Sequence, residues 1–181
     1  MVKEPRPGRV KTRLGREIGT VTAAWWYRHQ TRRLLRRLSD ARWQTILAVT
    51  PDSEGFKSRV WPPGLRRISQ GTGNLGQRMT RALRSTPGPT LLVGSDVPGI
   101  ERQHVAAGFS ALGRARSVIG PADDGGFWLV GLLHPQRPPR SLFRGTRWSH
   151  PETLADALPT LPRPVATVDT LADVDTASDL R

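Results

Sequence analysis

The clearest buried strand of the sequence lies in TLLVGSDVPG, residues 90–99. Residues 90–94 are almost wholly apolar, as is typical of a strand buried on both faces, and Pro98 and Gly99 then turn the chain. In an open α/β sheet, an acid at the carboxyl end of a buried strand points into the ligand crevice. When a phosphate is bound nearby, a carboxylate in this position is a suitable ligand for Mg²⁺ or Mn²⁺. We therefore expect Asp96 to be a metal ligand; the alternative is that it only caps the next helix or holds the turn.

On both sides of this strand, apolar runs of strand length alternate with helical patterns. The other predicted strands are Thr45–Thr50, Leu65–Ser69, Arg116–Pro121, Phe127–Leu133 and Pro164–Asp169. Helices are predicted over Leu14–Leu38, Gln77–Ser85 and Glu101–Leu112, within residues 150–161, and at the C-terminus. This order predicts an α/β fold with a mainly parallel sheet. We expect one domain over residues 1–181.

The charge of the chain is strongly basic, with a formal net charge of +13. Such a charge raises the question of a nucleic-acid partner. The densest arginine cluster lies on the predicted helix Leu14–Leu38, whose apolar stripe we place at Ile18, Val21, Trp25, Leu35 and Leu38. Like charges four residues apart repel, so we interpret the arginines as a solvated face. Because aromatic residues are not interleaved with basic ones outside residues 23–29, we do not expect a nucleic-acid partner.

The composition also bears on the compartment. The chain has no cysteine, which excludes disulfides and thiolate metal sites. No apolar run approaches the roughly 20 residues of a membrane span, and the N-terminus shows no apolar leader segment. We therefore expect a cytoplasmic protein.

The segment PRPGRVKTRLG, residues 5–15, has the chemistry of a phosphate-binding loop. Gly8 lets the backbone approach a ligand, Lys11 supplies a point charge, and Arg13 supplies a forked donor. The N-terminus of the following helix adds its positive end. The alternative is a basic surface turn without a ligand.

The segment QGTGNLG, residues 70–76, is rich in glycine. Glycines allow main-chain amides to hydrogen-bond the edge of a base or a ribose. The side chains of Gln70 and Asn74 can each donate and accept hydrogen bonds. A loop of this composition is suited to contact with a nucleoside.

Two further acidic segments are candidates for chemistry. In GPADDGGFWLVGL, residues 120–132, Asp123 or Asp124 precedes two glycines and could be a second metal ligand or a general base, or a solvated turn residue. In LADVDTASDL, residues 171–180, helix capping by Asp175 or Thr176 explains the acids as well as contact with a metal or substrate does.

Taken in order, these segments resemble a known family. KEPRPGRVKTRL, QGTGNLGQRM, GSDVPGI, GPADDGGFWLVGL and DVDTASDL are similar to segments of a bacterial glycosyltransferase-like family of GT-A nucleotide-diphospho-sugar transferases. This DUF2064-type group is also described as arsenosugar-biosynthesis-associated. The resemblance spans about Lys3–Leu180. It implies a GT-A fold: a central, mostly parallel mixed sheet with helices on both faces, and a bound Mg²⁺ or Mn²⁺.

The resemblance also implies roles for single residues. Lys11 and Asp124 would be catalytic, and Asp96 would bind the metal. The implied nucleotide-binding residues are Gly8, Lys11, Arg13, Gln70, Gly71, Gly73, Gly76 and Arg78. The chain departs from the family at Asn74, where Asp is common, and at His150, where Thr is common. Both departures bear on base and acceptor specificity.

The implied reaction is transfer of a sugar from a nucleotide-diphospho-sugar donor to a small acceptor. More distant relatives are nucleotidyltransferases, which use a similar site but release pyrophosphate. A third possibility is an inactive, truncated homologue that only binds anions. The family begins with an apolar strand before the position of Lys3, most of which is missing here. We expect the true start to lie upstream by on the order of ten residues, with natural truncation as the alternative.

Overall fold

The computed structural model describes residues 1–180, along which strands and helices alternate. The strands are β1 Val2–Lys3, β2 Ile46–Thr50, β3 Arg66–Ser69, β4 Thr90–Val93, β5 Ser117–Pro121, β6 Phe127–Leu132 and β7 Val165–Thr167. The helices are α1 Thr12–Ile18, α2 Thr20–Arg37, α3 Asp52–Gly55, α4 Leu75–Arg84, α5 Arg102–Leu112 and α6 Thr153–Ala157, with 3₁₀ turns at Leu158–Thr160 and Ala177–Asp179. Within residues 1–180, no helix is both long and apolar enough to cross a membrane.

The strands form two sheets. In the first, β1, β2 and β3 lie side by side and parallel. In the second, the order is β4-β6-β5-β7, with β6 antiparallel to both neighbours and β7 parallel to β5. The predicted α/β fold with mixed, mostly parallel strand pairing is therefore confirmed. The break between the sheets falls between β2 and β4, where only the two-residue β1 lies.

Helices pack on both faces of the second sheet, as predicted. Successive residues of a strand point to opposite faces. Val118 and Leu129 pack into a core cluster with residues of α2 and α5. Ile119 and Val130 pack on the other face, with residues of α4 and α6. This layering leaves the carboxyl ends of β1 and β4 free to carry loops.

The predicted helix Leu14–Leu38 is two helices, which corrects the sequence interpretation. Gly19 separates α1 from α2 with φ 89° and ψ 142°, a conformation outside the helical region that glycine adopts at little cost. The break changes which residues face inward. Val21 is 70% and Trp25 61% exposed, whereas Tyr27 and other residues of α2 are buried instead. The predicted apolar stripe was therefore wrong at these two positions.

Candidate functional site

The carboxyl ends of the strands open onto a cleft of about 870 Å³. It is lined by the loop that follows β1, the end of β4, the turn between β5 and β6, residues 148–151 and the C-terminal segment. Of the predicted site residues, those that line it are Lys11, Arg13, Gln70, Arg78, Asp96 and Asp124. The topology thus brings together side chains from the whole length of the chain.

Lys11 lies at the charged end of this cleft. It precedes α1 in a left-handed conformation, φ 43° and ψ 53°, and its side chain is only 6% exposed. Its Nζ lies 2.8 Å from Asp96 Oδ2 and 2.8 Å from Asp175 Oδ1. Burial alone would lower the pKa of Lys11, but the two carboxylates outweigh it and raise that pKa above its ordinary value. Lys11 is therefore a charged, fixed ammonium group.

The C-terminal segment contributes the carboxylates of Asp173 and Asp175, whose roles could not be decided from the sequence. The Val174 amide donates to the Asp96 carbonyl at 3.2 Å, which holds the segment against the end of β4. Asp175 pairs with Lys11 and also accepts from Arg13 Nη1 at 3.0 Å. Of the two alternatives raised from the sequence, Thr176 precedes the last 3₁₀ turn and takes part in its capping box, whereas Asp175 belongs to the charged cluster.

Asp173 is the most perturbed carboxyl of the cleft. Burial, reinforced by the nearby charges of Asp124 and Asp175, raises the pKa of Asp173 to about 6. Burial and the two neighbouring carboxylates both disfavour the ionised form of Asp173. A bound cation would favour that ionised form.

The carboxylates fit a divalent cation. One oxygen each from Asp96, Asp173 and Asp175 lies within 4.8 Å of the others. Carboxylate oxygens are the ligands that Mg²⁺ and Mn²⁺ prefer, and Mg²⁺ is commonly held by one or two carboxylates with phosphate and water filling the remaining positions. The predicted ligand Asp96 thus lies with two partners that could complete the site.

Asp124 lies in the turn between β5 and β6. Its Oδ1 accepts from the Gly126 amide at 2.8 Å, which orients the carboxylate. Gly125 has φ 84°, and a Cβ built there would lie 2.0 Å from the Pro151 carbonyl oxygen. Only glycine therefore fits at this position, where residues 148–151 close over the turn.

Gln70 has a structural role in addition to the predicted one, which stays a prediction. It is buried, and its side-chain amide donates to the Val2 carbonyl at 3.0 Å and to the Ala48 carbonyl at 2.8 Å. These bonds tie the glycine-rich loop to β1 and β2. Although Gln70 lines the cleft, its two amide donors are used inside the protein.

The glycines of the predicted nucleotide site lie outside the cleft lining. Among residues 1–180, the cleft is not lined by Gly8, Gly71, Gly73 or Gly76. A Cβ at Gly76 would lie 2.8 Å from Phe143 and 2.9 Å from Trp148, so this glycine allows close packing of α4. Asn74 and Gln77 form a capping box at the start of α4, with two hydrogen bonds of 3.0 Å.

An aromatic wall of the cleft was not predicted from the sequence. Phe127 and Trp148 line it, with ring centroids 6.3 Å apart, and both rings pack against Phe143. His150 lies beside them and accepts a hydrogen bond at Nδ1 from the Glu152 amide. These residues lie far apart in the sequence or in a loop without periodicity. The signal that could have pointed to them is the family departure at His150.

Comparison with known proteins identifies the family. Residues 34–150 match the family described as "Uncharacterized protein conserved in bacteria (DUF2064)". A crystal structure from Desulfovibrio desulfuricans G20, provisionally described as a nucleotide-diphospho-sugar transferase, is 31% identical with a TM-score of 0.83, and the match covers 99% of this chain and 81% of that chain. A search of curated proteins gave no significant match.

A second solved structure shows the same general fold at greater distance. It is 4-diphosphocytidyl-2C-methyl-D-erythritol synthase from Anaerococcus prevotii DSM 20548, 12% identical with a TM-score of 0.57, and the match covers 85% of this chain and 82% of that chain. At this identity the likeness shows a shared fold. The chain therefore belongs to the DUF2064 family and has the GT-A-like fold of nucleotide-diphospho-sugar transferases.

Proposed function

We propose that this protein transfers a sugar from a nucleotide-diphospho-sugar donor to a small acceptor, assisted by Mg²⁺ or Mn²⁺. The observation that carries the proposal is the cluster of Lys11 with Asp96, Asp173 and Asp175 at the carboxyl ends of β1 and β4. A diphosphate is bound well by such a cluster, since its charge is balanced both by basic side chains and by a cation that carboxylates hold.

Lys11 and Arg13 would contact the diphosphate. Both now pair with Asp175. When Asp96, Asp173 and Asp175 hold a cation, their pairing with basic side chains is weakened. Lys11 Nζ and the Arg13 guanidinium can then donate hydrogen bonds to phosphate oxygens. The bound cation would supply additional positive charge to the departing diphosphate. Asp96, at the end of β4, would be one of the ligands of that cation.

Asp124 would serve the acceptor. A carboxylate oriented by the Gly126 amide can accept the proton of an acceptor hydroxyl as the oxygen attacks the sugar carbon, while the bond from that carbon to the diphosphate breaks. Phe127, Trp148 and His150 would flank the acceptor, since they line the cleft beside this turn. Arg78 would contact the nucleoside through its terminal Nη groups, since its Nε donates to the Gly73 carbonyl at 2.9 Å.

A product assay tests the reaction. The protein is incubated with Mn²⁺ and a panel of nucleotide-diphospho-sugars, and release of nucleoside diphosphate is measured; in parallel, it is incubated with nucleoside triphosphates and sugar phosphates, and pyrophosphate is measured. Release of nucleoside diphosphate that depends on the protein and on Mn²⁺ supports the proposal. Pyrophosphate alone would indicate nucleotidyl transfer, and neither product would indicate an inactive anion-binding protein.

A further inference from the structure

The outer face of α2 carries two apolar side chains that the core does not bury. Val21 is 70% and Trp25 61% exposed. The Trp25 ring lies against His29, with ring centroids 4.0 Å apart, and His29 Nδ1 donates to the Trp25 carbonyl at 2.8 Å. These contacts hold the indole in place but leave most of its surface, and that of Val21 one helical turn away, in water.

The same outer face is strongly basic. Arg28, Arg33 and Arg36 are exposed, on the side of α2 away from its buried residues. Among the residues that the structure describes, none of these three arginines pairs with a carboxylate. The sequence of α2 contains no acid, and the acids before and after it, Glu17 and Asp40, contact other partners. The positive charge of this face is therefore not balanced within the protein.

A partner that covers this face has to be negatively charged. A second copy would place arginines against arginines, and each chain carries a net charge of +13, so two copies repel each other here. A nucleic acid could stack a base on Trp25, but it offers no apolar surface to Val21. An anionic bilayer offers both: indole and aliphatic side chains enter the headgroup region, and arginines contact lipid phosphates.

We propose that the outer face of α2 docks the protein on an anionic membrane surface. Val21 and Trp25 enter the headgroup region, and the arginines contact phosphate groups. From Val21 to Arg36 the helix rises about 22 Å at 1.5 Å per residue, so it lies along the surface over several lipids. None of the exposed residues of this face lines the cleft, and docking is therefore independent of the proposed reaction.

Co-sedimentation with lipid vesicles tests the proposal on the full chain. The protein should pellet with vesicles of mixed phosphatidylcholine and phosphatidylglycerol, but not with phosphatidylcholine alone, and high salt should weaken binding. Replacing Arg28, Arg33 and Arg36 together by Ala should lower the partition coefficient roughly 10- to 100-fold. Because all three side chains are exposed, the variant should keep its fold, which circular dichroism verifies.

A matched control removes the same charge from another part of the surface. Arg137, Arg140 and Arg144 are exposed residues of the segment after β6, and replacing all three by Ala should change the partition coefficient roughly twofold at most. Equal losses in the two triple variants would show that only the net charge matters. That result would overturn the assignment to α2, as would a failure of the unaltered protein to pellet with anionic vesicles.

Two further measurements separate a membrane from other anionic partners. Trp25→Ala should lower the partition coefficient roughly tenfold, and brominated lipids should quench tryptophan fluorescence in the unaltered protein more than in this variant. Equal quenching would show that Trp25 does not enter the bilayer and would overturn the proposal. An oligonucleotide or polyglutamate that displaces the protein from vesicles at equal charge concentration would also overturn it, in favour of a polyanion as partner.

Discussion

Lys11 Nζ lies 2.8 Å from Asp175 Oδ1, although 164 residues of sequence separate them. Lys11 precedes α1, and Asp175 lies in the C-terminal segment that is tied to the end of β4. The same ammonium also contacts Asp96. One basic side chain thus holds together both ends of the chain and the first strand of the second sheet, at the position where we propose that a diphosphate binds.

Replacing Lys11 by Ala should weaken binding of nucleoside diphosphates much more than binding of nucleosides. One charge-assisted hydrogen bond is worth roughly 1.5–3 kcal/mol, or about 10- to 150-fold in Kd. Calorimetric titration with both ligand types checks this. Lys57→Ala is the matched control, since Lys57 is exposed and lies outside the cleft lining. Equal losses for nucleoside and diphosphate would contradict the assigned role.

Replacing Asp96 by Ala should abolish the dependence of nucleotide binding on Mg²⁺ or Mn²⁺ and leave the protein folded. The side chain of Asp96 is 39% exposed, so its loss creates no buried cavity. The measurement is nucleoside diphosphate affinity with and without cation, with circular dichroism to verify folding. Asp123→Ala, an exposed acid from the next turn, serves as control. If nucleotide binding by the variant depends on the cation as strongly as before, Asp96 is not a metal ligand.

Replacing Asp173 by Asn should stabilise the protein at neutral pH when no divalent cation is present. The folded-state pKa of about 6 lies above the ordinary value of 3.8, so ionisation costs stability as pH rises through this range. The cost is absent below about pH 4 and complete above about pH 6, on the order of 1 kcal/mol after allowance for partial exposure.

Urea unfolding at pH 4 and at pH 7.5 checks this prediction for Asp173. The variant should gain over the unmodified protein only at the higher pH, and added Mg²⁺ should stabilise the unmodified protein more than the variant. Asp169→Asn is the control, since the Asp169 side chain is 75% exposed. A variant that is less stable at both pH values would contradict a stability cost from ionised Asp173.

Replacing Gly125 by Ala should destabilise the protein more than replacing Gly145. Both glycines have positive φ, 84° and 80°, so both substitutions carry a conformational cost of roughly 1–2 kcal/mol. At Gly125 the new Cβ also meets the Pro151 carbonyl oxygen, whereas nothing lies within 4 Å at Gly145. Urea denaturation of both variants measures the difference, and equal losses would contradict the tight closure at Pro151.

Much of the fold could be predicted from apolar runs. The strands near residues 45–50, 90–96 and 127–133 are short apolar segments bounded by turn residues, and such local signals suffice to locate buried strands. The break at Gly19 was missed because helical propensity continues on both sides of it. A single glycine in a helical pattern is compatible with a continuous helix, so only the packing of α1 against α2 decides the outcome.

The candidate site was harder to predict than the fold. Lys11 and Asp96 stand next to clear signals, a glycine-containing loop and a strand end. From the sequence, Asp175 could equally have capped the last turn. Only its long-range contact with Lys11 distinguishes a residue of the charged cluster from a helix cap. Gln70 was predicted to contact a nucleoside, yet its side-chain amide donates hydrogen bonds to backbone carbonyls of β1 and β2. These carbonyls lie beside a short strand and compete for the two donors of Gln70. The cytoplasmic location and the single-domain organisation stay predictions.

Whether the charged cluster holds a diphosphate can be measured with a thermal-shift panel of nucleosides, nucleoside diphosphates and nucleotide-diphospho-sugars, each with and without Mg²⁺ or Mn²⁺. A ligand at about 100 times its Kd stabilises by roughly 2.7 kcal/mol, which corresponds to roughly 5–10 °C in Tm for a chain of this size. We expect at least one nucleotide-diphospho-sugar to give such a shift only when the divalent cation is present, and its nucleoside to give a much smaller shift. A panel without any cation-dependent shift, or with equal shifts for nucleoside and nucleotide-sugar, would contradict the claim that Lys11 and its carboxylate partners hold a diphosphate.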